Sequence, residues 1–454
     1  MLVAQRTYRG TMRSKILTCV TSAILFGWLA VAVRLSAQDA TEHSQPAHYR
    51  VFNLGTLGGT ASTGNTINNR GLALGAANLP DNTTEHATAW FFGLKSNLGT
   101  LGGPNSNVVF PNRNDFGEIV GISETAAVNP LGEAWSCSAF FPTVTGHICL
   151  GFAWQWGEMT ALPTLGGYNG FAAAVNNRGE IVGWAENKVH DSTCAPPPAG
   201  NQVLQFEAVL WEPGTHHIQE LPPLHGDQDG AATAINERGQ IVGISGTCDV
   251  AVGAFSAKHA LLWEDGHVIN LPTLGGAGWN TPAAINNRGE IAGFSDLPGD
   301  VSGGVLTPNF HAVLWTKEHV IHDLGTLPGD SVSEATGIND RGQIVGVSFP
   351  SSHAFIWQDG VMTDLNKLIP SDSPLALIST GDIDDRGEIT GQACVLSDGA
   401  CTSDLPAFLA IPDCDWDAHN AAFTEGQSAT VSDDIRQQVM HRMAFGHFAS
   451  APVK

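Results

Sequence analysis

The twelve residues AINNRGEIAGFS at positions 284–295 recur almost unchanged as AVNNRGEIVGWA, AINERGQIVGIS and GINDRGQIVGVS. A chain that repeats one short segment builds its core from copies of a single supersecondary unit, because no copy can bury its apolar face alone. Three further signatures travel with this segment in fixed order. The full unit reads A-x-x-I-N, G-x-I-V-G, H-A-x-x-W, L-x-x-L-G-G, and its turn glycine falls at Gly71, Gly117, Gly179, Gly239, Gly289, Gly342 and Gly387. Seven units, spaced 45 to 62 residues apart, fill most of the 454-residue chain.

Each signature is a run of β-branched, aromatic or alternating apolar residues closed by Gly, Asn or Asp, which predicts a short strand. The abundance of glycine (52 residues) against 14% charged residues agrees with many tight turns. N-x-x-G predicts a type I turn closed by a left-handed glycine, and WEDG and WQDG predict hairpins from the third strand to the fourth. Four strands per unit predict an all-β fold, a seven-bladed β-propeller of four-stranded antiparallel blades.

The units resemble the HAF repeats of extracellular bacterial proteins, whose tripeptide stands here as His353-Ala354-Phe355, with HALLW and HAVLW as looser copies. The resemblance covers nearly all of residues 50–412 and implies a secreted, propeller-like repeat protein; it carries over no catalytic residue. Unit two departs from the pattern with Phe116 in place of the turn arginine, and unit seven ends in PAFLA.

Blades converge on an axis where room is scarce, so the smallest strand, A-x-x-I-N, is expected innermost and the tryptophan strand in the outer half. The expected order within a blade is therefore A-x-x-I-N, G-x-I-V-G, H-A-x-x-W, L-x-x-L-G-G. On this order the segment RVFNLGTLGG is an orphan fourth strand that completes the last blade and closes the ring, leaving no exposed edge. The I-N-x-x-G and W-x-x-G turns then share one face. The L-G-G connections share the other with long insertions at residues 124–150, 186–205, 246–257, 296–309 and 394–405. Long loops gathered on one rigid face are where binding usually resides.

Cys137, Cys149, Cys194, Cys248, Cys394 and Cys401 all lie in these insertions, and proximity favours the pairs Cys137–Cys149, Cys194–Cys248 and Cys394–Cys401. Paired C-x-x-C spacing, which a metal would want, is absent, and Cys414 is left over. The recurrent His86, His259, His311 and His353 are read as strand-to-strand hydrogen bonders rather than as metal ligands. Arg70, Arg178, Arg238, Arg288, Arg341 and Arg386 form a ring on the short-turn face, read as local pairs with neighbouring acids rather than as an anion grip.

Between L-G-G and the inner strand, Tyr168, Asn169, Asp227, Asp229, Trp279, Asn280, Asp330 and Glu334 are the candidate ligand-binding residues. Aromatic plates beside carboxylates and amides suit sugars. A secreted binding or scaffold module for a polysaccharide, or for a protein or other surface ligand, is the expected function; a glycoside hydrolase or lyase using these carboxylates is the alternative. The sequence contains none of the common nucleophile, zinc or phosphate-loop motifs, so no catalytic residue, no metal ligand and no cofactor is assigned. Asp-rich loops leave calcium open without naming a site.

The amino terminus reads as an export signal, residues 1–37, with Arg6, Arg9, Arg13 and Lys15 before an apolar run and cleavage after Ala37. An uncleaved anchor is the lesser reading, and after cleavage no membrane insertion is expected. A linker (38–48), the propeller (49–412) and a tail that is loosely structured or forms one short amphipathic helix (413–454) follow. Five of the 21 basic residues belong to the signal, which leaves 16 against 44 acidic ones, a formal charge of −28. Such a surface disfavours nucleic acid and anionic lipid. Nothing in the sequence sets the oligomeric state.

Overall fold

In the computed structural model, residues 47–194, 202–248, 256–299, 309–413 and 429–443 are described; the export signal and Cys414 lie outside them. The chain forms seven four-stranded antiparallel sheets arranged as a β-propeller, six of them with their strands in chain order from the axis outward. Blade 3 is representative: Gly170–Val175, Ile181–His190, Leu204–Trp211 and Ile218–Leu221. The innermost strands of the other blades are Ser62–Ile67, Gly102–Asn107, Asp229–Ile235, Thr281–Ile285, Val332–Ile338 and Leu375–Ile383. In blade 7 the outermost strand is the N-terminal Tyr49–Asn53, paired antiparallel with Ala407–Pro412, so the two ends of the propeller close the ring.

The first three signatures fall on the expected strands, but the fourth needs correction. The outer strand is the segment before L-x-x-L-G-G, such as Leu94–Asn97 or His267–Asn270. L-x-x-L-G-G itself is the crossing to the next blade. Gly99 (83°) and Gly102 (104°) take positive φ there, a conformation that glycine adopts readily. A threonine then pins the crossing, as where Thr100 Oγ1 donates to the Gly103 carbonyl at 2.8 Å and Thr164 Oγ1 to Gly167 at 2.8 Å.

The glycine that closes G-x-I-V-G has a specific cause. In six blades the inner strand carries a bulge, between Ala172 and Ala174 in blade 3 and Ala232 and Ala234 in blade 4, opposite that glycine. The bulge pushes a carbonyl toward the second strand. A Cβ on Gly183 would stand 1.9 Å from the Phe171 oxygen, and one on Gly243 2.0 Å from that of Ala231. The bulge frees one residue per blade, among them Asn65, Ala283 and Thr336, to face the axis.

Adjacent blades pack face to face through apolar clusters, for example Val120 and Ala153 of blade 2 against Val175, Ile181, Val209 and Trp211 of blade 3. The repeat tryptophans tie across the same gap: Trp211, Trp263 and Trp315 Nε1 donate to the carbonyls of Pro163, Pro222 and Pro272 at 2.7–2.9 Å. The turn asparagine makes the tightest tie. Asn236 Oδ1 accepts the backbone N–H of Arg238 (3.0 Å) and Gln240 (3.1 Å), while its Nδ2 donates to the Asn286 carbonyl of the next blade at 3.0 Å. The same donation runs from Asn68 to Asn114, Asn114 to Asn176, Asn176 to Asn236, Asn286 to Asn339 and Asn339 to Asp384, all at 2.8–3.2 Å. At the ring closure Asp384 has no amide to donate, and Asn69 and Asp385 take over. The Asp385 N–H donates to Asn69 Oδ1 (2.9 Å) and Asn69 Nδ2 to Asp385 Oδ2 (2.7 Å).

The arginines pair locally as expected where an acid follows: Arg178 with Glu180, Arg288 with Glu290, and Arg386 with Asp384 and Glu388. The histidines also make strand-to-strand bonds, His86 to Asn97 and His353 to Asp364 at 2.9 Å each. Asn236→Ala strands the N–H groups of Arg238 and buried Gln240 and one carbonyl, and is expected to cost about 2–4 kcal/mol in urea unfolding. Deleting residues 49–53 opens the ring and should abolish the cooperative transition, read by circular dichroism.

Candidate functional site

The bulged inner strands enclose an axial cavity of about 500 Å³. Its chemistry is two-sided. Blades 1, 6 and 7 contribute Thr63, Asn65, Glu334, Thr336, Ser379, Thr380 and Gln392. On the other side Phe110, Phe140, Phe171, Ala231 and Ile244 line an apolar recess.

One end is closed by a charge that the repeat does not predict. At the isoleucine of I-N, unit two places Arg113, whose Nη2 crosses the axis to Asp382 Oδ1 (2.9 Å) and to the Ile338 carbonyl (2.5 Å). Asp382 is fully buried and also accepts from Thr66 Oγ1 at 3.1 Å. Burial pushes its carboxyl up, and the guanidinium opposes that push. Room for Asp382 comes from Gly337, where a Cβ would stand 2.5 Å from its Oδ1. The sequence signal for Arg113 was its departure from Ile or Val at that position.

The long-loop end, where exposed Thr60, Asn82 and Ser403 also line the cavity, is partly covered by two elements. The insertion of blade 2 carries a one-turn helix, Trp135–Ser138, stapled by Cys137–Cys149, and brings Phe140, Phe141 and Pro142 over the cavity. Trp135 stacks on Trp184 with centroids 5.0 Å apart. The C-terminal helix, Asp433–Met443, buries Ile435 and Val439 in the same cluster as Ala61 and Leu405, and Gln438 and Val439 line the cavity. Its approach is anchored at Thr430, which bridges to Ala400 in the hairpin closed by Cys394–Cys401. The third disulfide, Cys194–Cys248, joins the insertions of blades 3 and 4, so all three expected pairs form.

Of the eight residues singled out on this face, Glu334 lines the cavity and the other seven stitch loops or pack. Asn169 is buried, donating Nδ2 to Glu186 Oε1 (2.8 Å) and accepting from the Cys149 N–H (3.2 Å). Glu186 is raised to about 7 by burial and by Glu133. Asp227 accepts from Ser245 Oγ (2.5 Å) and faces His259 Nδ1 (2.7 Å). Asp229, pushed well up by burial, is held by Gln202 (2.9 Å) and the Phe206 N–H (3.0 Å). Trp279 packs near Phe310, Asn280 bonds Ser295 and the Lys258 carbonyl, and Asp330 bonds Ser351. Tyr168 alone of the seven keeps a large exposed part, 39%.

Glu334 differs from these. It is 3% exposed, its Oε2 has no hydrogen-bond partner, and burial alone lifts its carboxyl to about 8. Burial thus favours the protonated form of this cavity-lining carboxyl at neutral pH. Two acid–cysteine groups, Glu124 with Cys137 and Cys149 and Asp191 with Cys194 and Cys248, lie within ligand distance, but their sulfurs are joined in disulfides and hold no thiolate for a metal.

No protein-family model matches the chain, and comparison with curated proteins gives no match. Among solved structures it is similar to the Pyrococcus horikoshii acylaminoacyl peptidase (11% identity, TM-score 0.42, 75% of this chain and 50% of that one). It is also similar to a streptogramin B lyase (11%, 0.40, 81% and 98%) and to the Xanthomonas campestris gluconolactonase XC5397 (10%, 0.31, 65% and 90%). The chain thus spans half the length of the peptidase.

Two outcomes are expected. Arg113→Ile leaves Asp382 buried without its counter-charge and should cost about 3–5 kcal/mol, much of it recovered by adding Asp382→Ala. Because the folded-state carboxyl of Glu334 is raised above its unfolded value of 4.5, folding loses stability as pH rises from there through about 8. Glu334→Gln should flatten that part of the melting-temperature profile.

Proposed function

We propose that the protein is an exported binding module that takes a small neutral polyhydroxylated ligand, such as the end of a polysaccharide chain, into its axial cavity. The observation that carries this reading is the unpartnered, buried Glu334 carboxyl in a cavity with hydroxyls and amides on one side and aromatic rings on the other. Sugars have that division themselves: C–H faces suit rings, and hydroxyls need donors and acceptors. A protonated Glu334 supplies a donor that a neutral hydroxyl or ring oxygen accepts. Export is supported by the basic-then-apolar leader, by three disulfides of the kind kept in oxidising compartments, and by the likeness of the units to HAF repeats. Among the described residues no helix is long and apolar enough to cross a membrane.

One observation favours a second reading, a carbohydrate-active enzyme: Glu85 and Glu334 line the same cavity, and a pair of carboxyls is what glycoside cleavage uses as acid and base. Glu85 is held by Asn107 Nδ2 at 2.9 Å.

A neutral-oligosaccharide array, followed by calorimetry and a hydrolysis and lyase screen on each hit, separates the two. For a binding module, affinity falls as pH rises past about 8, where Glu334 ionises. Glu334→Gln keeps binding and loses that dependence, Glu334→Leu weakens it about tenfold by removing the donor, and no product forms. Turnover lost in both Glu85→Gln and Glu334→Gln favours the enzyme. Binding indifferent to all Glu334 variants refutes the cavity as the site.

A further inference from the structure

The short-turn face, opposite the partly covered mouth of the cavity, carries its own departure from the repeat. In blades 4 and 6 the turn from third to fourth strand places Asp265 and Asp359 at φ 51°, a left-handed conformation that aspartate adopts readily. Blades 1 and 2 place Phe92 (φ 49°) and Trp156 (φ 55°) at the same step. A bulky aromatic is poorly suited to that conformation, and at 88% exposure each buries almost nothing, so neither backbone geometry nor packing accounts for the choice. Phe91 lies against Phe92 with ring centroids 4.3 Å apart.

The inner turns of the same two blades depart as well. Unit two has Phe116 for the ring arginine, 62% exposed, and the Arg70 guanidinium of blade 1 stands 5.4 Å over its ring. Arg70 is the one ring arginine followed two residues later by neither Glu nor Gln, since Leu72 stands there, and among the described residues it has no ion pair. Blades 1 and 2 thus present aromatic plates on a rigid surface, together with one guanidinium that stacks on Phe116 rather than pairing with an acid. Inner and outer turns of a blade stand two strand spacings apart, about 10 Å.

We propose that this surface is a second carbohydrate contact, on which a neutral polysaccharide chain lies across Phe92, Phe116 and Trp156 with Arg70 donating to its hydroxyls. Spaced plates held at fixed turns match successive sugar rings, whose C–H faces stack on aromatics. The protein's own charge selects among occupants. A chain of net charge −23, or −28 without its leader, repels polyanions, anionic membranes and copies of itself, and leaves an uncharged polymer. This proposal shares the glycan reading above but stands on different residues.

The test is co-sedimentation of the full secreted protein with insoluble cellulose, chitin and a β-1,3-glucan. Trp156→Asp and Phe92→Asp install the residue that blades 4 and 6 use, so both should fold with unchanged melting. Each is expected to lower the bound fraction at least about fivefold on a polymer that retains the parent protein, whereas calorimetric binding of a soluble oligosaccharide at the cavity is unchanged in both. Arg70→Gln should weaken retention less. The proposal is overturned if none of the three polymers retains the protein, if the two Asp variants bind like the parent, or if they instead abolish dimerisation or binding to phosphatidylglycerol vesicles.

Discussion

At six of the seven junctions a blade is fastened to the next by one asparagine side chain that does two jobs at once. Its oxygen closes its own turn by accepting two backbone N–H groups, and its amide reaches the carbonyl of the neighbouring turn, as in Asn176 to Asn236 and Asn236 to Asn286. A propeller has no central core to hold its sheets at a fixed angle, so directional bonds between blades must do so. Because these bonds link turn to turn, they also fix the height of each inner strand. The bulges then fall at one level around the axis, and their freed residues line a common cavity.

The cavity exists because most bulge residues are small, and it has two sides because blade 2 breaks the pattern. Where other units place an aliphatic side chain between sheets, Arg113 turns inward and crosses to Asp382. Burying one charge would be prohibitive, so the pair is a joint feature of units two and seven. Gly337 yields space to it. Phe110 in the same irregular stretch supplies part of the apolar wall. A repeat protein acquires a site where one unit stops being a repeat.

The long-loop face shows how buried acids can serve architecture rather than chemistry. Asn169 with Glu186, and Gln202 with Asp229, are satisfied pairs that tie an insertion to its blade under the disulfides. They look like binding residues in sequence because binding loops and structural loops draw on the same polar side chains. Glu334 is separated from them by what it lacks, a partner for Oε2. That distinction is invisible until the neighbours of each carboxylate are known.

The sequence alone determined the number of blades, the strand order, the closing role of the N-terminal strand and the three disulfides. Each follows from periodicity, side-chain size or proximity along the chain, all of which are local. It misplaced the outer strand, because L-x-x-L-G-G is the more conspicuous signature although it makes the turn to the next blade, whereas true outer strands such as Leu94–Asn97 are short and mostly polar. Only the tertiary structure decided which carboxylates are stitched and which line the cavity, that Arg113 meets a residue 269 positions away, and that the C-terminal helix leans over the mouth. Those contacts join blades across the ring, and what a residue meets there depends on where closure places the opposite blade, a distance the repeat pattern does not carry.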